Sequence, residues 1–137
     1  MKRIIALALA SAVALTASAQ KLTLTIAYGE SLPEKSAESF QQRLSQMLKA
    51  NGCEEGESRL VLNASVKVLD SMETPTEPVQ TAVSAEVVLS VGEVVYKIPV
   101  RGVGDNFDDA LSRAILQISP AAKATRSFID QVRDAAR

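Results

Sequence analysis

The fold is decided by one stretch of the sequence, Val83-Ser84-Ala85-Glu86-Val87-Val88-Leu89-Ser90-Val91-Gly92-Glu93-Val94-Val95-Tyr96-Lys97-Ile98-Pro99-Val100. Apolar residues alternate on both sides of Gly92-Glu93, a two-residue turn with glycine at the position that needs a positive φ. Pairing Val91 with Val94 sets apolar residues opposite each other along one face. The further pairs are Leu89 with Tyr96, Val87 with Ile98, and Ala85 with Val100. A slip of one residue would bring Lys97 to the core face, so the turn and the pattern predict the same register.

The same register predicts that the second strand of this hairpin lies at an edge of the sheet. It places Pro99 opposite Glu86 in a pair without mutual hydrogen bonds, where the missing N–H of proline points away from the partner strand. A proline fits that position only if no further strand needs the donor. We therefore expect Pro99 to lie on an edge strand.

Periodic segments on both sides of the hairpin complete the predicted fold. A strand over 21–28 precedes a helix that begins within 32–36 and ends at Asn51-Gly52, and a second strand covers 59–69. After the hairpin, one helix begins near Asp105 and a last one covers 121–136. The order β-α-β-β-β-α-α predicts an α+β domain with a mainly antiparallel four-stranded sheet and helices packed on one face.

Local signals add further expectations. Ser31 and Glu34 have the spacing of a capping box, and Asp105 is a suitable N-cap for the helix that follows the hairpin. Residues 53–58 are predicted to form a short acidic loop. The last helix is expected to turn four residues toward the core, namely Ala124, Phe128, Val132 and Ala135.

The amino terminus has the pattern of a cleavable export signal over residues 1–19. Met1-Lys2-Arg3 precedes an apolar run of about a dozen residues, and small residues at Ala17 and Ala19 suit a signal peptidase. The run is shorter than the roughly 20 residues that span a bilayer. We expect a single mature domain over 20–137 that is periplasmic or secreted and soluble, without a membrane anchor.

Composition disfavours several classes of function. The 15 basic residues, two of them in the signal, are outnumbered by 16 acidic ones, which disfavours nucleic acid because phosphate binding needs clustered Lys and Arg. The absence of histidine removes the commonest general base near neutral pH and the commonest metal ligand. We expect no enzyme activity, no cofactor and no metal.

Cys53 is the only cysteine, so no disulfide can form within one chain. A thiol in an oxidising compartment could also pair between chains. The favoured interpretation is a partly buried, inert thiol. Cys53 lies far from the predicted cleavage point, so we do not expect it to carry a lipid anchor.

Three polar or glycine-rich clusters have ordinary structural explanations. The first cluster is Glu54, Glu55 and Glu57, which we interpret as a solvated acidic turn rather than a calcium loop. The second is Asp105, Asp108 and Asp109, interpreted as helix capping rather than acid–base chemistry, and an enzyme using carboxylates alone would need these two clusters to converge in a cleft. The third is Gly102-Val103-Gly104, interpreted as a strand exit rather than a phosphate loop.

The outer side of the predicted sheet is the candidate interaction surface. It is expected to show small and mildly apolar side chains with few charges, which suits contact with another protein, although sheets also expose scattered valines to water. The candidate residues are Thr25, Val61, Ala82, Val88 and Val95. A small-ligand site between sheet and helices is the alternative, in a cavity lined by Phe40, Met47, Phe107 and Phe128.

The arrangement resembles a known family. The residues that carry the resemblance are the strand 22–28, the helix ending Leu48-Lys49-Ala50-Asn51-Gly52, the strand 59–69, the strands within 83–104, and Asp108-Asp109-Ala110-Leu111-Ser112-Arg113-Ala114-Ile115. The pattern resembles the periplasmic α/β domain shared by CsgG, LpoB and the amino-terminal part of TolB, and small exported proteins of Bacteroidetes-type bacteria. The resemblance implies a non-enzymatic adaptor module of the cell envelope that binds an envelope protein or itself.

Overall fold

The computed structural model of the protein describes residues 22–75 and 77–136. The predicted signal over 1–19 lies outside these residues and stays a prediction. In chain order the elements are β1 (Leu22–Tyr28), α1 (Glu34–Ala50), β2 (Cys53–Glu55), β3 (Val61–Glu73), β4 (Thr81–Val91), β5 (Val94–Gly104), α2 (Phe107–Ile115) and α3 (Lys123–Ala135). The predicted α+β class is confirmed.

Within the described residues, the strands form one five-stranded mixed sheet in the order β2-β1-β3-β4-β5. β1 runs parallel to both β2 and β3, whereas the β3–β4 and β4–β5 pairs are antiparallel. The predicted four-stranded, mainly antiparallel sheet is therefore wrong in its strand count and only partly right in orientation.

The additional strand is β2, in the segment predicted to be an acidic loop. Its three residues are too few to show a period of two in the sequence. It forms because β1 offers an unpaired edge: the N–H of Leu22 donates to the Gly52 carbonyl at 3.3 Å, and the N–H of Gly56 donates to the Leu24 carbonyl at 3.0 Å. Tertiary pairing, and not local preference, makes this segment a strand.

The chain changes sides of β1 between β2 and β3. These two strands lie along opposite edges of β1, so residues 56–60 cross it. The Thr25 hydroxyl accepts a hydrogen bond from the Ser58 N–H at 2.9 Å and donates toward the Gly56 and Ser58 carbonyls at 2.9 and 3.1 Å. Thr25 thus fastens the crossing segment to the sheet.

The predicted hairpin register is confirmed. Val91 pairs with Val94 across the turn, and Gly92 has a φ of 60°. The other predicted pairs also form, namely Leu89 with Tyr96, Val87 with Ile98, Ala85 with Val100, and Glu86 with Pro99. β5 is an edge strand, as the position of Pro99 predicts.

The helices pack on the sheet face that carries the buried strand residues. Phe40, Leu44 and Met47 of α1 and Leu111 and Ile115 of α2 are at most 1% exposed in this core. On the strands, the buried partners include Leu24, Leu62, Val83, Ala85, Val87 and Leu89. Burial of this apolar surface is the main stabilising contribution to the fold.

The inward face of α3 is rotated by about one residue from the prediction. Phe128 and Val132 are buried as expected, but Ala124 and Ala135 are exposed. Their predicted places are taken by Thr125 and Ile129. The rotation follows from docking on β5, where the Tyr96 and Phe128 rings lie 5.5 Å apart and the Tyr96 and Thr125 hydroxyls lie 3.2 Å apart.

Both predicted local helix caps are wrong. Pro33 occupies the N-cap position of α1 and makes no side-chain capping bond, so Ser31 and Glu34 form no capping box. At the start of α2 the N-cap is Asn106 rather than Asp105, and its Oδ1 accepts a hydrogen bond from the Asp109 N–H at 2.9 Å. The extended backbone at Asn106 places its short amide where a capping side chain must lie.

Candidate functional site

The outer sheet face is the side of β3, β4 and β5 opposite to α1, α2 and α3. Its composition follows from the register, because alternate residues of β4 are buried against the helices. It consists of five cross-strand rows: Asn63–Ser90–Val95, Ser65–Val88–Lys97, Lys67–Glu86–Pro99, Asp70–Ser84–Arg101 and Met72–Ala82–Val103.

The five candidate interaction residues all lie on the outer side of the sheet. Ala82 and Val88 are half-buried on β4, and Val95 on β5 is 54% exposed. Val61 is 37% exposed and pairs with Thr25 across β1 and β3. Thr25 is half-buried and its hydroxyl is engaged by the crossing segment. A role of these residues in binding stays a prediction.

The expectation of few charges on this face is wrong. The three middle rows contain Lys67, Glu86, Lys97, Asp70 and Arg101. The outward residues of β4 are mostly small or apolar, whereas β3 and β5 supply most of the charges. The charged rows separate the Asn63–Ser90–Val95 row near the hairpin turn from an apolar end at the opposite end of the strands.

The apolar end of the outer sheet face is formed by Met72, Ala82 and Val103. Met72 is 58% exposed and Val103 is 44% exposed. They border a cavity of about 540 Å³, which Asp70 and Arg101 also line. Sequence reasoning missed Met72, because β3 was predicted to end at residue 69.

A shift of register in β3 turns Met72 outward. The shift lies between Val68 and Asp70, and beyond it Asp70 pairs with Ser84 and Met72 with Ala82. Such an irregularity changes which alternate residues face solvent. A strict period of two therefore cannot identify the outward residues of this half of β3.

A groove of mixed polarity lies between the sheet and the helices. It has a volume of about 350 Å³, and its lining residues include Leu32, Val68 and Phe107 together with Glu30 and Lys67. Phe107 is the only residue of the predicted ligand cavity in this groove, and it is 38% exposed. Phe40, Met47 and Phe128 are instead core residues with exposed fractions of 2% or less. The cavity predicted from these four side chains is thus mostly filled core.

Asp108 and Asp109 form a polar cluster where the first turns of α1 and α2 meet. One Asp108 oxygen accepts hydrogen bonds from the hydroxyl and the N–H of Ser36, at 2.6 and 2.8 Å, and the other accepts from the Lys35 N–H at 3.0 Å. Asp109 accepts from the Lys35 ammonium at 2.6 Å and from the Asp105 N–H at 3.1 Å. Both carboxylates therefore join elements that are distant in sequence.

The surroundings of these two carboxylates favour the ionised form. Desolvation acts to raise the pKa of Asp108, but the hydrogen bonds from Ser36 and Lys35 outweigh it and the pKa is lowered. For Asp109, the hydrogen bond from Lys35 is the largest influence that lowers the pKa, followed by the hydrogen bond from Asp105. Two such carboxylates remain charged at neutral pH and act as structural acceptors.

The two acidic clusters lie beside opposite ends of α1. Asp108 and Asp109 contact its first turn, whereas Glu54 and Glu55 belong to β2, which follows its last turn. A helix of 17 residues is roughly 25 Å long. Within residues 22–75 and 77–136, no three cysteine or acidic side chains are placed so as to hold a metal ion.

Gly102 and Gly104 allow the backbone of α2 to pack directly on β5. A Cβ at Gly102 would lie 2.5 Å from the Ala114 nitrogen and closer still to the Ala110 carbonyl oxygen. A Cβ at Gly104 would lie 2.6 Å from the Ala110 nitrogen. These contacts account for the Gly-x-Gly sequence by close helix–strand packing, in place of a phosphate loop.

Cys53 is buried at the start of β2, with 4% of its surface exposed. Desolvation raises the pKa of its thiol, and the nearby positive charge of Arg133 offsets part of this effect. Arg133 itself donates to the Asn51 carbonyl at 2.7 Å, at the end of α1. This environment fits the predicted inert thiol.

No protein-family model matches the chain, and no curated protein matches it. A solved structure of a minor lipoprotein from Acinetobacter baumannii is similar, with a TM-score of 0.48 and 8% sequence identity over 82% of this chain and 94% of that one. At this level the likeness carries no argument about function, and the family resemblance stays a prediction. Among the residues that the structure describes, no helix is long and apolar enough to span a bilayer.

Proposed function

We propose that the chain is a non-enzymatic interaction module of the bacterial cell envelope that binds an envelope protein or a second copy through the outer sheet face. The supporting observation is that this face of β3, β4 and β5 lies on the side of the sheet opposite to α1, α2 and α3 and carries exposed apolar side chains. At one end of the face, Met72 and Val103 are 58% and 44% exposed on either side of Ala82. Exposed apolar side chains that lie next to each other are typical of interaction sites.

The charges in the three middle rows suit a selective interface. Lys67, Lys97 and Arg101 are positive, while Glu86 and Asp70 are negative. A partner would place apolar side chains against the apolar end and complementary charges against the middle rows, and the charges would set specificity more than affinity. The engagement of Asp108 and Asp109 in helix-joining hydrogen bonds supports the non-enzymatic part of the proposal.

Affinity capture of the mature chain from envelope extract, after mild cross-linking, tests this function. Val88→Asp and Val95→Asp each place a negative charge on the outer sheet face and should abolish capture of a specific partner or self-association. Gln42→Asp, on the exposed side of α1, is the matched control and should leave capture unchanged. Equal capture by all variants would contradict the role of this face, provided circular dichroism shows that each is folded.

A second candidate function is the binding of a small ligand in the groove between sheet and helices. It is supported by the groove of about 350 Å³, in which Leu32, Val68 and Phe107 lie beside Glu30 and Lys67. An amphiphilic fluorescent probe such as anilinonaphthalene sulfonate should bind the folded chain, and Phe107→Ala should weaken this binding. Equal probe binding by parent and variant would exclude the groove as the site.

A further inference from the structure

The outer edge of β5 carries backbone groups that pair with no strand of the described residues. β5 is the last strand of the sheet. Because Val91 and Val94 flank a two-residue turn, alternate residues of β5 direct their backbone groups away from β4. These residues are Val95, Lys97, Pro99, Arg101 and Val103. A row of such groups is a template on which another chain can add a strand.

Two successive positions of this edge cannot donate to an added strand. Pro99 has no N–H. The next outward N–H, that of Arg101, donates to the Oε1 of Gln117 at 2.9 Å. Gln117 follows the carboxyl end of α2, so its side chain reaches the strand from a different element. The N–H is absent at Pro99 because of the proline ring, and the N–H of Arg101 is already bonded to the Gln117 side chain.

We propose that Pro99 and Gln117 together close the β5 edge to strand addition by a second copy of this chain. They divide the outward donors into Val95 and Lys97 on one side and Val103 on the other, so an added strand finds at most two successive outward N–H groups along β5. The opposite edge of the sheet, β2, is only three residues long. This role goes beyond the proposed function, because it concerns the edge and not the outer sheet face.

The test compares the self-association of the mature chain with that of the double variant Pro99→Thr, Gln117→Ala. Threonine restores the donor at 99 and suits a strand, and alanine releases the N–H of Arg101. By sedimentation equilibrium, the double variant should associate about tenfold or more tightly than the parent, as expected for one or two recovered backbone hydrogen bonds. Gln131→Ala, on the exposed side of α3, is the control and should behave as the parent.

A third substitution identifies the surface through which the double variant associates. Lys97→Pro removes another outward N–H while sparing the hydrogen bonds to β4, as Pro99 does in the parent. Added to the double variant, it removes one of the five outward N–H groups and should weaken the association of the double variant. If Lys97→Pro leaves that association unchanged, the association uses another surface and the proposal is wrong. A folded double variant that associates no more than the parent also overturns it.

Hydrogen exchange tests the role of Gln117 without depending on association or on the double variant. In the single variant Gln117→Ala, the amide of Arg101 loses its acceptor and should exchange about tenfold faster than in the parent. The amide of Val100, which faces β4, should be unchanged. An unchanged rate at Arg101 would show that Gln117 does not occupy this edge.

Discussion

The carboxylate of Asp108, in α2, caps α1 by accepting hydrogen bonds from both the hydroxyl and the N–H of Ser36, which lies 72 residues earlier. The first N–H groups of a helix have no partner within that helix, and Pro33 provides no side-chain cap. Asp108 fills this role and lies within the first turn of its own helix, where negative charge is also favourable. One side chain therefore stabilises the starts of two helices.

Removal of this shared cap should destabilise the fold. Asp108→Ala should lower the free energy of unfolding by about 2 kcal/mol, the upper end for loss of an N-cap, because it also leaves the N–H of the buried Ser36 without its acceptor, while the Ser36 hydroxyl keeps the backbone carbonyl of residue 108. Urea denaturation of the chain over residues 20–137 measures the change. Asp105→Ala is the matched control: it keeps the N–H that donates to Asp109, so it should cost less than about 0.5 kcal/mol. Equal effects of the two substitutions would contradict the capping role.

Low pH should reduce the contribution of Asp108 and Asp109 to the stability of the fold. The pKa values of Asp108 and Asp109 are lowered in the folded state relative to the ordinary value of 3.8. Their contribution to stability is therefore complete above that value and is lost as pH falls through the lower folded-state pKa values. Urea denaturation between pH 7 and pH 2 should show a decline that is shallower in the variant Asp108→Asn, Asp109→Asn. The same acid dependence in parent and variant would contradict this expectation.

Close packing at the Gly-x-Gly sequence should make it intolerant of a single methyl group. Gly102→Ala should destabilise the chain by about 1 to 3 kcal/mol or more, because the new Cβ meets the backbone of α2, which cannot move aside as a flexible side chain could. Thermal and urea denaturation measure the effect. Val103→Ala, whose side chain points to the outer sheet face, should change stability little. A Gly102→Ala variant as stable as the parent would show that α2 does not lie against β5.

The Cys53 thiol should be unreactive in the folded chain. Because it is buried and its pKa is raised, the thiol should react with Ellman's reagent about a hundredfold more slowly in buffer than in denaturant. After incubation in air, the folded chain should still run as a monomer on a non-reducing gel. Ser45→Cys on the exposed side of α1 supplies a matched thiol that should react at once. Rapid reaction of Cys53, or a disulfide-linked dimer, would contradict its burial.

The hairpin, the first helix and the fold class could be predicted, because the sequence patterns that indicate them are local. The apolar alternation about Gly92 and the helical spacing of Phe40, Leu44 and Met47 each depend on neighbouring residues only. On the outer sheet face, the predicted residues of β4 and β5 lie where the hairpin register places them. The same register also places Glu86, Lys97 and Arg101 outward, so the expectation of few charges overlooked residues that the hairpin pattern itself indicates. Asp70 and Met72 could not be found, because they lie beyond a shift in β3 that a strict period of two does not contain.

The sequence by itself determined the β4–β5 hairpin, its register and the edge position of β5, because a two-residue turn and a strict alternation admit one pairing. Tertiary structure alone decided that Cys53–Glu55 is a strand, that α3 faces inward through Thr125 and Ile129, and that Asp108 caps α1. The physical reason is common to these three features. Each depends on a partner distant in the sequence, whose position is fixed only when helices and sheet pack together.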